Sequence, residues 1–331
     1  MTCPPILLSG FADESANEKL AIQQYTAFAA IGLKYYSIRF VDAGDGIKNV
    51  MALSEKEINH LVNLQADYGL KVSSIGSPIG KVKLLDQEDG TQNKFIPFDQ
   101  YLANDVQTAC DRAEAFGCKL LRGFSFYHPK GTAPEDHLDQ VCDQLTAIAE
   151  ACDARGLTFG LEVEANLVGQ SGDLLAKIAS QVNHPAMVTI FDGANIVMQG
   201  FTPDQVYRQY LAMKPSLGWL HIKDYSDPAL TGRVEHVDEE SASHFVPADR
   251  GDSAHEAILR DLRDFMPTLN QRMTARGVDG VFMDLEPHLK GGGQFGGFSG
   301  PDGMGVAVRA LCRVLDYVDL PYQLRTFDDL K

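Results

Sequence analysis

No stretch of the 331-residue chain approaches the roughly 18 apolar residues that cross a bilayer. The N-terminus, MTCPPILLSG, has neither a basic n-region nor a long apolar core. A membrane span and a secretory leader are therefore not expected, and a cytoplasmic protein without a membrane partner is. The six cysteines form no CxxC pair and fall mostly in helix-periodic segments, where reduced, buried thiols are the ordinary outcome. Cations are scarce: 29 Lys and Arg stand against 45 Asp and Glu, a formal charge of −16. Such a field repels phosphate backbones and argues against nucleic acid as a partner. There is also no Pro- or Ser-rich linker and no break in composition, so residues 1–331 are expected to form a single domain.

What is present is a strand-then-helix alternation. Apolar runs at 6–9, 35–40, 71–75, 119–123, 157–163, 187–191, 217–222 and 281–285 read as strands. Each is followed by a helix-periodic segment, at 17–31, 55–68, 101–116, 135–155, 172–182, 202–213, 255–276 and 304–318. Gly32, Gly69, Gly117, Gly156 and Gly280 fall between helix and strand, where a left-handed C-cap makes a tight turn. Eight such units predict an α/β fold, a closed (β/α)8 TIM barrel. An open doubly wound sheet is the alternative, but the first turn, GFADES at 10–15, lacks its glycine fingerprint. Long loops are expected after strands 3, 7 and 8, at 77–99, 224–253 and 287–303. The last contains GGGQFGGFSG, a composition shared by lids and by simple disordered connections.

Four polar residues stand at or just past the ends of the last four apolar runs: Glu162, Asp192, His221 and Glu286. Charge at the end of a buried strand is costly unless it is paired or binds a cation. Three carboxylates and an imidazole from successive strands suit one divalent metal with O and N ligands. Each has a plainer reading: an ion pair for Glu162, a turn or N-cap aspartate for Asp192, a satisfied core histidine for His221. Glu164 lies two residues beyond Glu162 and so on the same face of the strand. It is expected beside the ligands rather than among them. Arg39, Lys81, Arg122, Lys223 and Arg250 are basic residues near the expected rim, suited to hydroxyls, a carboxylate or a phosphate, with surface ion pairs as the alternative. His128 and His288 are loop residues near the site, and His236, His244 and His255 are too irregularly spaced for a second metal.

The segments SSIGSPIGK (73–81), LLRGFSFY (120–127), GLEVE (160–164), IFDGAN (190–195), WLHIKD (219–224), LEPHL (285–289) and FGGFSGP (295–301) resemble the xylose isomerase-like sugar (phosphate) isomerase/epimerase family of TIM barrels. The resemblance runs through the whole chain. It implies one divalent metal (Mn, Mg, Co or Zn, with manganese in view) held by Glu162, Asp192, His221 and Glu286. Glu162 and Glu286 would also serve as acid and base in carbohydrate metabolism, moving a proton through a metal-bound enediolate. Such an intermediate leads to epimerisation, isomerisation or, by loss of a hydroxyl, dehydration of a keto-sugar or keto-cyclitol. Lys81, Arg122, Glu164, Asn195, Arg250 and His288 are the candidate substrate-binding residues. Asn195 stands where several relatives carry histidine, and residues 233–244 look like an insertion, so a reshaped pocket is expected. Relatives are commonly dimers or tetramers, and a homo-oligomer is compatible with the chain. An endonuclease acting at abasic sites would need histidines on the early strands, where this chain has Tyr36, Ser37, Arg39, Ser73 and Ser74. An inactive carbohydrate-binding barrel is the remaining alternative; metal analysis and proton exchange discriminate it.

Overall fold

A computed structural model describes residues 3–234, 236–237, 243–291, 296–326 and 329. Eight parallel strands occur in chain order: β1 Ile6–Gly10, β2 Tyr35–Ile38, β3 Lys71–Ile79, β4 Leu120–Gly123, β5 Thr158–Glu162, β6 Met187–Asp192, β7 Leu217–Ile222 and β8 Phe282–Leu285. Each pairs with the next from β2 to β8, and β8 returns to β1, with Leu7 opposite Phe282 and Gly10 opposite Leu285. The helices alternate with them: α1 Ala21–Ala30, α2 Glu55–Asp67, α3 Gln107–Ala115, α4 Leu138–Asp153, α5 Gly172–Val182, α6 Pro203–Met213, α7 His255–Ala275 and α8 Gly300–Tyr317. This is the expected TIM barrel.

The ring is not closed evenly. Between β1 and β2 the ladder reduces to one parallel bridge, Phe11 with Ser37, at the C-terminal end. At the other end a ninth strand, β9 Tyr322–Gln323, pairs with Ile6 and Leu7 of β1. The sequence analysis does not anticipate this strand; two residues carry no period.

Most other differences are local. The chain leaves the barrel at Arg39 and makes a hairpin, Phe40–Asp42 against Ile47–Asn49, so β2 ends earlier than the apolar run suggests. β3 continues past Pro78 to Ile79, with an irregular register after Ile75. α8 begins at Gly300, four residues before the predicted start, which shortens the loop after β8. The lid reading of GGGQFGGFSG falls partly on residues 292–295, and the insertion reading partly on 235 and 238–242; these lie outside the described residues. Among the described residues no helix is long and apolar enough to cross a membrane.

The core is the usual double layer, with helices packing their apolar faces on the outside of the sheet. Inside the barrel one level is set by two residues of contrasting size. A Cβ on Gly160 of β5 would come 2.0 Å from the Trp219 ring on β7, so the only tryptophan fills space that a glycine leaves. Glu162 and His221 follow two residues on, one level nearer the C-terminal mouth. The packed floor therefore fixes the height of both.

Candidate metal and active site

Strand geometry explains why four ligand-type residues meet. β5 to β8 are adjacent and parallel, Glu162, Asp192 and His221 lie in their last residues, and Glu286 follows β8 directly. All four are at least 97% buried. One oxygen or nitrogen from each lies within 4.8 Å of the others.

The contacts inside this group are not those of a settled hydrogen-bond network. His221 Nδ1 is 3.0 Å from Glu162 Oε1, yet outside hydrogen-bonding alignment, and neither ring nitrogen makes a hydrogen bond among the described residues. His221 is met by the carboxylates of Glu162, Asp284 and Glu286 rather than by an aligned hydrogen-bond partner. Asp192 divides its work: Oδ1 accepts the backbone N–H of Asn195 (3.1 Å) and caps the short helix Gly193–Val197, while Oδ2 has no hydrogen bond. Buried polar atoms without partners are rare. Ligands on a common cation at about 2.1 Å stand about 3 Å apart without bonding one another. The oxygen–nitrogen donor set, with Asp192 Oδ2 and His221 Nδ1 close to charged neighbours but making no hydrogen bond, fits a divalent cation.

Cations of the protein itself surround the group. Lys223 Nζ lies 3.0 Å from Glu286 Oε2 and 3.2 Å from Asp192 Oδ2. Arg39 binds Glu286 Oε1 and also Asp13 Oδ2, at 3.1 Å. Arg122 Nη1 is 3.4 Å from Glu162 Oε2. Burial pushes the Glu162 carboxyl up, but His221 and Arg122 outweigh it and hold it at about 2. Burial opposes ionisation of Glu286 too, and Lys223 and Arg39 overcome it, keeping that carboxyl far below the usual range. For Asp192 burial prevails over Lys223, and the carboxyl rises to about 6.

Behind the group, His221 Nε2 faces Asp284 Oδ2 at 4.0 Å. Asp284 accepts from Ser73 (3.0 Å) and Ser74 (3.4 Å), and those hydroxyls pair with Ser9 (2.7 Å) and Ser37 (2.6 Å). A carboxylate behind a ligating imidazole fixes its ring orientation. Ser37, Ser73 and Ser74 carry no signal of this role in sequence, and Asp284 lies inside an apolar run that gives none. Asp13 and Glu14 of the GFADES turn were also missed. Glu14 accepts from the His288 backbone N–H (2.8 Å) and the Ser299 hydroxyl (3.0 Å), and its Oε1 is 2.7 Å from His288 Nδ1. These bonds hold His288 at φ 48, a left-handed conformation that costs a non-glycine residue about 1–2 kcal/mol.

A cavity of about 430 Å³ opens beside the group, lined by Glu162 and Glu286 of the four. Lys81, Arg122, Glu164, Asn195 and His288 border it, as do Arg39 and Lys223. Glu164 stands at the mouth, 3.1 Å from Lys81 Nζ, and Asn195 Nδ2 donates to Val163 O (3.0 Å) and Glu162 Oε1 (3.3 Å). Arg250 departs from the expectation: it is exposed and does not border the cavity. Asp224 accepts from Gly251 N (2.8 Å) and Ser253 N (3.0 Å), which ties the flanking loop down around it. A larger groove, about 960 Å³, lies outside the barrel against α6, α7 and α8 and carries none of the four clustered residues.

A model of the family described as xylose isomerase-like TIM barrel matches residues 25–290. Solved structures share the fold at low identity. A xylose isomerase-like TIM barrel protein from Mycobacterium smegmatis in complex with magnesium is 19% identical, with a TM-score of 0.61 over 95% of this chain and 96% of that one. The probable 3-DHS dehydratase AsbF of Bacillus anthracis is 14% identical, with a TM-score of 0.62 over 93% and 99%. D-allulose 3-epimerase from Methylomonas sp., in complex with D-allulose, is 14% identical, with a TM-score of 0.58 over 97% and 99%. No curated protein sequence matches significantly.

Proposed function

Because the chain belongs to the xylose isomerase-like TIM-barrel family, we propose that it is a divalent-metal-dependent sugar isomerase or epimerase that works by proton transfer. One observation carries this reading: one oxygen or nitrogen each from Glu162, Asp192, His221 and Glu286 converge within 4.8 Å, all buried, with Asp192 Oδ2 and His221 Nδ1 free of hydrogen bonds. These four would hold the cation. When bound, the metal supplies Lewis-acid stabilisation of negative charge developing on a substrate oxygen.

The chain's own residues do the rest. Glu162 and Glu286 are both held ionised by neighbouring positive groups, the form a base needs. One removes the proton from the carbon beside the ketone. For isomerisation the same group returns it to the former carbonyl carbon while the hydroxyl proton passes to the former carbonyl oxygen; for epimerisation the other, having first taken a proton from solvent, delivers it to the opposite face of the same carbon. Arg39 and Lys223 grip the two oxygens of Glu286 and fix its direction. Asn195 does the same for Glu162 through Oε1. The cavity has room for a sugar of about hexose size.

The test is solvent exchange. Metal-loaded protein turning over a ketose in deuterated water should place deuterium beside the carbonyl, and Glu286→Gln should lower turnover by about 10²–10⁴-fold. Transfer of the substrate's own hydrogen with no solvent label rejects proton transfer. A protein that takes up no Mn, Mg, Co or Zn rejects metal dependence.

A further inference from the structure

We propose that the substrate carries a carboxylate, a sugar acid rather than a neutral or phosphorylated sugar, and that Arg122 and Lys81 receive it. This deepens the sugar-directed reading above and rests on it for the remainder of the bound molecule.

The first observation is an under-satisfied buried cation. Arg122 on β4 is 94% buried, and a guanidinium offers five N–H donors. Among the described residues its only acceptors are Glu162 Oε2 at 3.4 Å and Gly76 O at 3.3 Å, both long, and Nε has none. Its guanidinium carbon lies over both Phe11 and Phe124, 4.9 Å from each ring. Flanking rings hold the plane of the group and keep water from it. A buried charge so poorly met is expensive unless another partner arrives. If Glu162 serves a metal, Arg122 loses part of the counter-charge it has.

A second cation stands on the same wall. Lys81 Nζ is 4.3 Å over the Phe124 ring that also flanks Arg122, and Glu164 at 3.1 Å is its ion-pair partner. Both cations border the cavity that Glu162 and Glu286 also line. A planar carboxylate fits a guanidinium edge with two parallel bonds, and an ammonium adds a point charge beside it. In a protein of net charge −16, this pairing selects an anion where the rest of the surface repels one.

Phosphate is disfavoured by the opposite rim. TIM barrels commonly bind phosphate with backbone N–H groups of the loops after strands 7 and 8. Among the described residues of those loops, four such donors are taken by internal groups: Gly251 and Ser253 N–H by Asp224, His288 N–H by Glu14, and Leu289 N–H by the Ser299 hydroxyl.

The experiment titrates the metal-loaded full chain by calorimetry with D-fructose, D-fructose 6-phosphate, D-fructuronate and 2-keto-D-gluconate. The two acids place a carboxylate far from the ketone and next to it. At least one should bind roughly tenfold or more tighter than both D-fructose and the phosphate, a difference of about 1.4 kcal/mol. Arg122→Gln and Lys81→Gln should each shrink that preference toward one. Lys81 is partly exposed, so its variant reports even if Arg122→Gln fails to fold. Acids that bind no better than D-fructose, whether all probes bind or none does, overturn the proposal. So does a preference that survives both substitutions, or one for the phosphate. Metal content is measured on the same samples. Acid preference without metal uptake would remove the metal-dependent reading and leave this inference standing, and the reverse result would do the opposite.

Discussion

At the scale of single residues, Asp192 shows how a turn residue and a ligand can be one side chain. Its two oxygens face different tasks, so the N-cap reading and the metal reading taken from sequence are not rivals. The cap leaves Oδ2 pointing where burial raises the carboxyl to about 6. Metal binding needs that group deprotonated, and a raised value means that protons compete at mildly acidic pH. Apparent Mn affinity should therefore be near its maximum above pH 7 and fall steeply below about pH 6, as followed by calorimetry from pH 7.5 to 5. Asp192→Asn, which removes the ligand charge but can still accept the cap bond through its carbonyl, should lose most of that affinity while the protein remains folded. The four clustered residues were legible because each ends an apolar run. Asp13, Glu14 and Asp284 were not, because their burial depends on Arg39, His288 and a ring of serines that come from distant parts of the chain.

At the scale of elements, the agreement is closest where local chemistry marks both ends. α5 occupies Gly172–Val182 as read from sequence, started by the Ser171 side chain on Leu174 N–H and stopped by Asn183 in a left-handed conformation. β3 runs four residues past the apolar run at 71–75, through Pro78 to Ile79. The strand tolerates the proline beside an irregular stretch of ladder, where a missing N–H costs little. The level formed by Gly160 and Trp219 was invisible, since period alone does not say which glycine faces which ring. It offers a sharp test: Gly160→Ala puts a methyl group 2.0 Å from the indole. A loss of about 1–3 kcal/mol is expected, measured by denaturant unfolding. The emission of the sole tryptophan should shift, and metal affinity should fall with it because His221 rides two residues above Trp219. Unchanged stability and emission would mean that the floor is not what sets the height of the site.

At the scale of the whole molecule, the barrel's ends are joined by its last described strand. Ile6 N–H donates to Pro321 O (2.8 Å), Arg325 N–H to Gly32 O (2.7 Å), and the Arg325 side chain to Tyr68 O (2.8 Å), so the C-terminal segment spans the gap between β1 and β2. Removing residues 321–331 should lower the thermal midpoint by several degrees, as for a loss of about 1–3 kcal/mol. It should also expose the β1 edge, measured as faster amide exchange at Ile6, whose N–H donates to Pro321 O, but not at Leu7, whose N–H donates to Val281 O. A midpoint unchanged by truncation would show that β9 merely rests on the barrel. The same arrangement bears on how the polypeptide is made. Apart from one bridge to Ser37, every ladder partner of β1 belongs to β8 or β9. At about 5–20 residues per second, a ribosome needs tens of seconds between the first of these segments and the last. Throughout that interval ILLSG, wholly buried in the finished protein, has neither lateral neighbour. An apolar strand with both edges open invites pairing with other chains, so ILLSG is the segment that a holding chaperone would have most reason to cover.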